Sequence, residues 1–546
     1  MGEDLSIPPA GPGVTASSRH RTWPSFAALA AWLGLMLAAA PMSKIVPIGD
    51  DWAYAYSVKM LLTTGRLRIS QFAVATSISH ILWGTLFCLP TGFSQISLRV
   101  SVLTVSALAL FIFERLLAEL GHPPSRRLLG AALLALDPLF IGVTLSFYTD
   151  AFFLAAFLLS VLGLVKGSRR WLWVSSFASI AAALARQIGL APALVGAVVL
   201  FRRGDRRGAA ILLLPPLAAL ALQGTWFLHA YGATHATWYY AHQSLARLDA
   251  PATLARDTLL RLSSSAACLG LLVFPLGAAA LLSPAARRPI TRPRAVVAVV
   301  GGALWLTAFH ARLLPPGFGD QLWYGGLGPA IVPGAAFKVA GWWASRALWA
   351  AGDAVSLITL MSLAVARPPR GGAAWLAAAS ALAFLPALLS YMFYDRYLLV
   401  LVPAAIAAAL DACADHPRTA WWGAAILGAL SWCGARDAAA WNAALWRAAA
   451  RLEQRGYAAE DIRAGLSWDG ALVAERNIAI IRRDTPLSEI KPYAWLALEH
   501  PHALLTFDPR PPRGTRRLFV ESYATPLSAR GGVIYADVLL PGVRPP

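Results

Sequence analysis

The stretch Gly49-Asp50-Asp51-Trp52-Ala53-Tyr54 sets two adjacent carboxylates directly behind the first long apolar run, where the chain must leave a bilayer. The end of a span is a place where carboxylates are solvated at little cost, so the pair has an ordinary reading as a solvated loop. It also has a functional one, as the catalytic corner of a membrane site. Topology decides between them: if the other ionisable residues beside spans fall on the same side, one site can collect them.

Composition sets the class. Of 546 residues, 58% are hydrophobic and 14% charged, whereas a soluble domain carries about 25% charged residues. The chain reads as a polytopic α-helical membrane protein. Its net charge of +19 lies in short Arg clusters between apolar runs, as the positive-inside rule expects, which argues against a nucleic-acid partner. Cys88, Cys268, Cys413 and Cys433 are scattered through apolar segments without a CxxC pair or zinc spacing and read as inert packing residues. Arg19 and Arg21 precede an apolar run that a signal peptide could imitate. The long polar segment ahead of it and its Ala-Ala-Ala-Pro-Met ending fit an uncleaved first span better.

Apolar runs of about 15 to 25 residues, with Arg clusters marking cytoplasmic ends, give a consistent alternation of about 13 spans. Residues 1–22 are basic and inside, and the first span covers about 24–41, which puts Asp50 and Asp51 outside. Residues 50–94 mix Lys59, Arg66, Arg68 and His80 with Trp52, Tyr54, Tyr56, Phe72 and Trp83, a pattern for amphipathic helices lying along the outer interface. Spans at about 97–118 and 128–145 return the chain to Arg126 and Arg127 and then deliver Ser146-Phe147-Tyr148-Thr149-Asp150 outside. The next spans alternate between Lys166, Arg169 and Arg170 inside, Arg186-Gln187 outside, and the Arg202, Arg203, Arg206, Arg207 cluster inside. After an outer loop, His229 to Arg256, the chain reaches Arg287 to Arg294 inside and His310 and Arg312 outside. An outer loop at 311–345 carries Pro315-Pro316-Gly317 and is long enough to be functional. The tenth span is expected at about 347–366, the eleventh leads to Tyr394-Asp395-Arg396-Tyr397 outside, and the thirteenth lies at about 419–434.

Residues 1–435 thus form a transmembrane domain and 436–546 a charged, soluble-looking tail outside. Residues 437–455 read as an amphipathic helix stopped by Gly456, and 503–508 and 516–540 carry β-like runs such as Leu-Phe-Val and Gly-Val-Ile-Tyr. The tail is expected to be a small α/β domain with a structural or acceptor-docking role.

The topology rests on Arg clusters and run lengths alone, yet Asp50, Asp51, Asp150, Arg186, Asp395 and Arg396 all fall at outer span ends. Asp150 has no other charge for many residues on either side, so it calls for a partner or ligand unless it is a solvated helix end. Arg186-Gln187 reads either as a snorkelling Arg or as an anion site, the outer Arg being the exception to the charge rule. Asp395 and Arg396 serve a site or pair locally, and His80 is more ordinarily a packing residue. The outer aromatics Trp238, Tyr239, Tyr240, Trp323 and Tyr324 suit an interfacial belt and also sugar stacking. No Walker loop, GxSxG or HExxH is present.

At these residues the chain resembles the GT-C superfamily of polytopic glycosyltransferases, in particular the bacterial family 39 type related to protein O-mannosyltransferases and the lipid A aminoarabinose transferase. The resemblance covers most of the chain. It rests on Asp50-Asp51, on SFYTD ending at Asp150, on ALARQIGL around Arg186, on YDRYLLVLVP around Arg396, and on DIRAGLSWDG in the tail. It departs from the common pattern at the acidic pair, Asp-Glu in many relatives, and at Ser79-His80-Ile81, where many have His-Pro-Pro.

The resemblance implies a GT-C fold in the bacterial inner membrane, with a cytoplasmic N-terminus. It implies an enzyme that moves a sugar, with inversion, from a polyprenyl-phosphate donor to a lipid, glycan or protein acceptor on the extracytoplasmic side. The acidic residue of the first outer loop would be the base, which favours Asp50, with Asp51 supporting it or orienting the substrate and Asp150 orienting the acceptor or holding a phosphate-binding cation in place. The anionic leaving group needs cationic stabilisation, for which Arg186, Arg396, Lys59 and Arg66 are candidates. Some GT-C enzymes use a divalent metal; no His/Asp cluster in this sequence demands one. The competing readings are a secondary transporter or lipid flippase, against which the absence of an internal repeat and of mid-span charges speaks, and an oligosaccharide polymerase or ligase.

Overall fold

The computed structural model describes residues 23–231, 234–282, 300–302, 354–359, 371–410, 416–484, 501–526 and 528–540. The expected ninth and tenth spans and the 311–345 loop fall almost wholly outside these residues, as do Cys413, Trp323 and Tyr324. The stretch Phe26–Lys44, which takes in most of α1 (Trp23–Ala39), and helices α4 (Gln95–Glu119), α7 (Thr149–Lys166), α10 (Arg206–Tyr231) and α14 (Gly372–Leu389) are each long and apolar enough to cross a membrane. Counting each of two bent pairs as one span brings the number to at most seven among the described residues. The chain is an integral membrane protein.

Both bent pairs have a proline at the break. The run expected as one span at 128–145 is α5 (Pro124–Ala135) and α6 (Pro138–Thr144), inclined at 60°. Pro138 cannot donate to the preceding turn, so α5 ends, and Asp137 caps the new helix by accepting from the amides of Leu139 at 2.8 Å and Phe140 at 3.2 Å. Trp32 of α1 donates its indole N–H to the carbonyl of Ala135 at 3.0 Å, which uses an acceptor that the break exposes. The second pair, α12 (Pro251–Leu272) and α13 (Phe274–Leu282), turns by 69° just ahead of Pro275.

Between α1 and α4 lie α2 (Asp51–Thr64) and α3 (Ile78–Cys88). Helix α2 ends at Gly65, whose φ of 65° fits a left-handed cap. Helix α8 (Arg169–Ala185) returns along α7, joined by buried hydroxyl contacts from Ser160 to Ser175 at 3.1 Å and Ser179 at 2.7 Å. Helix α9 (Ala191–Arg202) follows, and α11 (His235–Ala246) occupies the segment between α10 and α12. Beyond α14, a 3-10 turn (Asp395–Val400) carries Arg396 into α15 (Val402–Ala409).

The long helix α16 (Pro417–Glu453) runs without a break through the 435/436 point at which span and tail were expected to divide. Its alanine-rich middle explains this, since Ala is the best helix former and nothing at 435–439 interrupts the turn pattern. It also supports α1: Trp432 and Arg436 donate to the carbonyls of Leu35 and Ala38, each at 3.0 Å, satisfying the exposed end of that span.

The tail has the expected mixed character. Strands β1 (Ile462–Arg463), β2 (Ala503–Thr506), β3 (Thr515–Thr525) and β4 (Ser528–Leu539) form one sheet in the order β1-β2-β4-β3. Strands β1 and β2 are parallel and the other pairs antiparallel, with Val520 opposite Tyr535. The sheet packs on the buried Ala444, Leu445, Ala448 and Leu452 of α16. Helix α17 (Leu466–Asp484) leaves the sheet and lays Ala474 and Ile478 against Trp52 and Ala53 of α2.

A proline at the fully buried Ala435 would remove a backbone donor and clash one turn back, costing ~3 kcal/mol or more. Ala435→Pro is therefore expected to lower the unfolding midpoint of the detergent-solubilised protein and to speed proteolytic release of the tail. A tail that stays attached at the wild-type rate would mean that the junction is not a continuous helix.

Candidate active site

Four motifs that lie far apart in the sequence meet at one cavity of about 240 Å³. Helix α2 brings Asp50, its N-cap residue, and Tyr54; α7 brings Asp150 in its first turn; the C-cap of α8 brings Arg186 and then Gln187; the 3-10 turn after Tyr394 brings Arg396 and Tyr397. The lining also includes the apolar Leu154, Ala383, Phe384, Leu399 and Val400. Tyr240 and Ser244 of α11 and Tyr391 also line it.

The charges are arranged in order of tightness. Arg186 donates through Nη2 to Asp150 Oδ2 at 2.7 Å and through Nε to Thr149 Oγ1 at 2.8 Å. Asp150 is nearly inaccessible and sits where a helix dipole favours a carboxylate. Arg396 stands between the Tyr148 ring at 4.8 Å and the Tyr394 ring at 4.6 Å, with Asp50 Oδ2 3.7 Å from its Nη2 and Asp150 Oδ2 4.0 Å from its Nε. Asp50 is the more exposed carboxylate, its side chain 24% accessible, and its contact is the looser one. Two guanidinium groups thus face two carboxylates, one locked and one available.

Local backbone explains the placement. Gly49 has a φ of +61°, and a Cβ there would lie 2.1 Å from the Tyr148 hydroxyl, so Gly lets the chain turn into α2 against that ring. Gly189 serves the turn after Arg186, since a Cβ would lie 2.3 Å from the carbonyl carbon of Ala182 in α8.

Asp51 is different from its neighbour. It is buried and does not line the cavity; Oδ1 accepts from the Ile48 amide at 3.0 Å and Oδ2 from the Phe147 amide at 3.2 Å. It ties the start of α2 to the segment that leads into α7. Burial pushes its carboxyl up to about 8, against the two amide donors.

Among solved structures the chain matches the crystal structure of ArnT from Cupriavidus metallidurans bound to undecaprenyl phosphate. The match has 13% identity and a TM-score of 0.37, and covers 94% of this chain and 98% of that one. No family model and no curated protein matches the chain. A superposition this loose places no residue, and the site stands on its own geometry.

The remaining sequence candidates separate cleanly. His80 is fully buried outside the cavity lining, stacked on Phe147 at 4.1 Å with Nε2 3.3 Å from the Phe147 carbonyl oxygen, as a packing residue would be. Asp395 is also fully buried and does not line the cavity. Lys59 and Arg66 are exposed residues at the far part of α2 and just beyond it, away from the cavity. Among the described residues no group of three His, Cys, Asp or Glu side chains is placed to hold a metal ion. The residues not foreseen are Tyr54, Tyr148, Thr149, Tyr394 and Tyr397. Each lies inside a motif already singled out, and Tyr54 is four positions from Asp50, one helical turn along the same face.

Two measurements follow from these contacts. Arg186→Ala leaves Asp150 without its 2.7 Å partner and is expected to cost on the order of 3 kcal/mol in stability. Arg186→Lys keeps the charge but lacks the fixed two-donor fork that reaches Asp150 and Thr149 at once, so its unfolding midpoint should fall between alanine and wild type. For Asp51, a carboxyl raised from 3.8 to about 8 takes up a proton on folding. Its contribution to stability is therefore full below the lower value and declines as pH rises toward the upper one. Thermal midpoints across that window should slope downward in wild type and lose that component in Asp51→Asn.

Proposed function

We propose that the chain is a membrane-embedded inverting glycosyltransferase of the GT-C kind, transferring a sugar from a polyprenyl-phosphate donor to an acceptor hydroxyl. The observation that carries this reading is the convergence of Asp50, Asp150, Arg186 and Arg396 on one cavity with an apolar wall. A lipid-linked phosphate sugar asks for that combination: cations for the phosphate, an apolar surface for the first isoprene units, and a carboxylate for the incoming hydroxyl. A volume of about 240 Å³ lies at or below the low end of the roughly 300–1,000 Å³ of small-molecule sites. It suits one sugar ring better than a preassembled glycan, which favours monosaccharide transfer over a polymerase or ligase.

In this reading Asp50 is the general base. It accepts the proton of the acceptor hydroxyl as the oxygen attacks the anomeric carbon from the face opposite the phosphate. The carbon–oxygen bond to phosphate breaks with its electron pair moving to the phosphate, and the new glycosidic bond forms with inverted configuration. Arg396 and Arg186 meet the charge that develops on the leaving phosphate through charge-assisted hydrogen bonds. Asp150 holds Arg186 in position, and Asp51, whose two oxygens are taken by backbone amides, fixes the direction of α2.

The positive-inside pattern supports a cavity open to the extracytoplasmic side of the bacterial inner membrane, with the N-terminus cytoplasmic and residues 436–546 outside. Residues 1–435 would carry the chemistry. The acceptor hydroxyl belongs to a lipid, glycan or protein at that surface.

The test is transfer of radiolabelled sugar from polyprenyl-phosphate donors into a membrane extract. Asp50→Asn should lower turnover by roughly 10²- to 10⁴-fold while keeping the wild-type unfolding midpoint. Asp51→Asn should do the opposite, losing about 1–3 kcal/mol of stability through a mismatched amide contact while keeping turnover per folded molecule. Full activity in Asp50→Asn would remove it as the base, and a wild type that uses no donor would remove the transferase reading.

A further inference from the structure

The cavity wall formed by Phe72, Val74 and Ala75 belongs to a segment without helix or strand of its own, between α2 and α3. Such a segment keeps one shape only if its polar backbone groups are tied elsewhere. On one side the ties come from the start of α11. Thr234 Oγ1 donates to the Ala73 carbonyl at 2.8 Å, Thr237 Oγ1 to the Val74 carbonyl at 2.7 Å, and the Ala236 amide to the Gln71 carbonyl at 3.0 Å. On the other side they come from the tail. Glu475 of α17 accepts from Ser70 Oγ at 2.5 Å and from the Gln71 amide at 3.0 Å, and Ser70 Oγ in turn accepts from the Phe72 amide at 3.2 Å.

Packing reinforces the same contact. Trp52, directly after the acidic pair, stacks on Phe72 with ring centroids 5.3 Å apart. At Gly470 a Cβ would fall 2.1 Å from the indole, so the helix backbone is in close contact with the ring. Ala474 and Ile478, one and two turns further on, continue the contact. The last residue of the DIRAGLSWDG stretch is thus the point at which the tail touches the residue next to Asp51.

We propose that α17 is a strut for the active site, with Glu475 as the positioning residue that holds the Ser70–Ala75 wall in the shape the donor requires. Glu475 does not line the cavity and acts through Ser70 and Gln71. Both of its contacts reach one oxygen, Oε1, so an amide oxygen in the same place accepts both. Alanine accepts neither. The kinetic consequence rests on the glycosyl-transfer reading; the structural one does not.

The experiment uses the full-length protein in nanodiscs, as wild type, Glu475→Gln, Glu475→Ala and Ser70→Ala. Hydrogen exchange is read at amides 69–76, with 515–525 in the tail sheet as control. Donor kinetics are measured on the same samples. Glu475→Ala is expected to speed exchange at 69–76 about tenfold with the control unchanged, and to raise the donor KM about fivefold with little change in kcat. Glu475→Gln should restore both. Should Glu475→Ala fail to fold, Ser70→Ala, which removes the closer donor, is expected to move exchange and KM in the same direction. Unchanged exchange at 69–76, a fall in kcat with KM constant, or a glutamine variant as impaired as alanine would overturn the strut. If wild type transfers no sugar, the transferase reading falls by itself, and exchange at 69–76 still decides whether Glu475 holds the wall.

Discussion

A guanidinium group at the end of an apolar helical bundle must be paired, and the bond between Arg186 and Asp150 is the pairing on which the site depends. Either charge alone, so little exposed, would carry a desolvation cost of several kcal/mol. Their 2.7 Å contact, with Thr149 as second acceptor, locks the first turn of α7 to the last of α8. Arg396 lies over the faces of Tyr148 and Tyr394, with Asp50 Oδ2 3.7 Å from its Nη2 and Asp150 Oδ2 4.0 Å from its Nε. In the proposed reaction a phosphate drawn to Arg396 competes with Asp50 for the same donors. Donor binding and liberation of the base carboxylate would then be one event, which fits Asp50 being the less tightly bound acid.

Asp50 and Asp51 show why two like residues in adjacent positions have different roles. Successive positions of a helix point about 100° apart, so an N-cap residue that faces the cavity sends its successor into the packing. Asp51 then meets the amides of Ile48 and Phe147, and its carboxyl becomes part of the framework. The arrangement also accounts for Gly49, since the turn that aims Asp50 brings the backbone within contact distance of Tyr148.

Asp150 was legible because it stands alone in apolar sequence, where isolation is expensive, and Arg186 because an outer Arg is the exception to the positive-inside rule. Asp50 and Arg396 were marked by their place at outer span ends. The same reasoning does not separate Asp50 from Asp51, nor Lys59, Arg66 and His80 from the site, because these share a segment and differ only in which helix face they occupy. The break at 136–137 carried a signal, a capping Asp before Pro138, that run length passes over. The continuity of α16 was hidden by Arg436 and Asp437, which resemble the end of a span. Arg436 instead reaches back to cap α1, a long-range contact that no local pattern announces.

That contact changes how the tail is understood. Residues 40–52, which lead from α1 to the acidic pair, are bracketed by one continuous part of the chain. Trp432 and Arg436 of α16 hold the end of α1, and Gly470, Ala474 and Ile478 of α17 hold Trp52 and Ala53. Between these two holds the chain passes through the end of α16 and the first strand of the sheet, so the tail closes a loop around the Asp50 corner. A helix of 37 residues spans about 55 Å at 1.5 Å per residue, and this rod fixes where the tail can sit. The tail therefore contacts the first two helices at both of these holds. Among the described residues it does not line the cavity, yet its contacts flank the segment that carries Asp50.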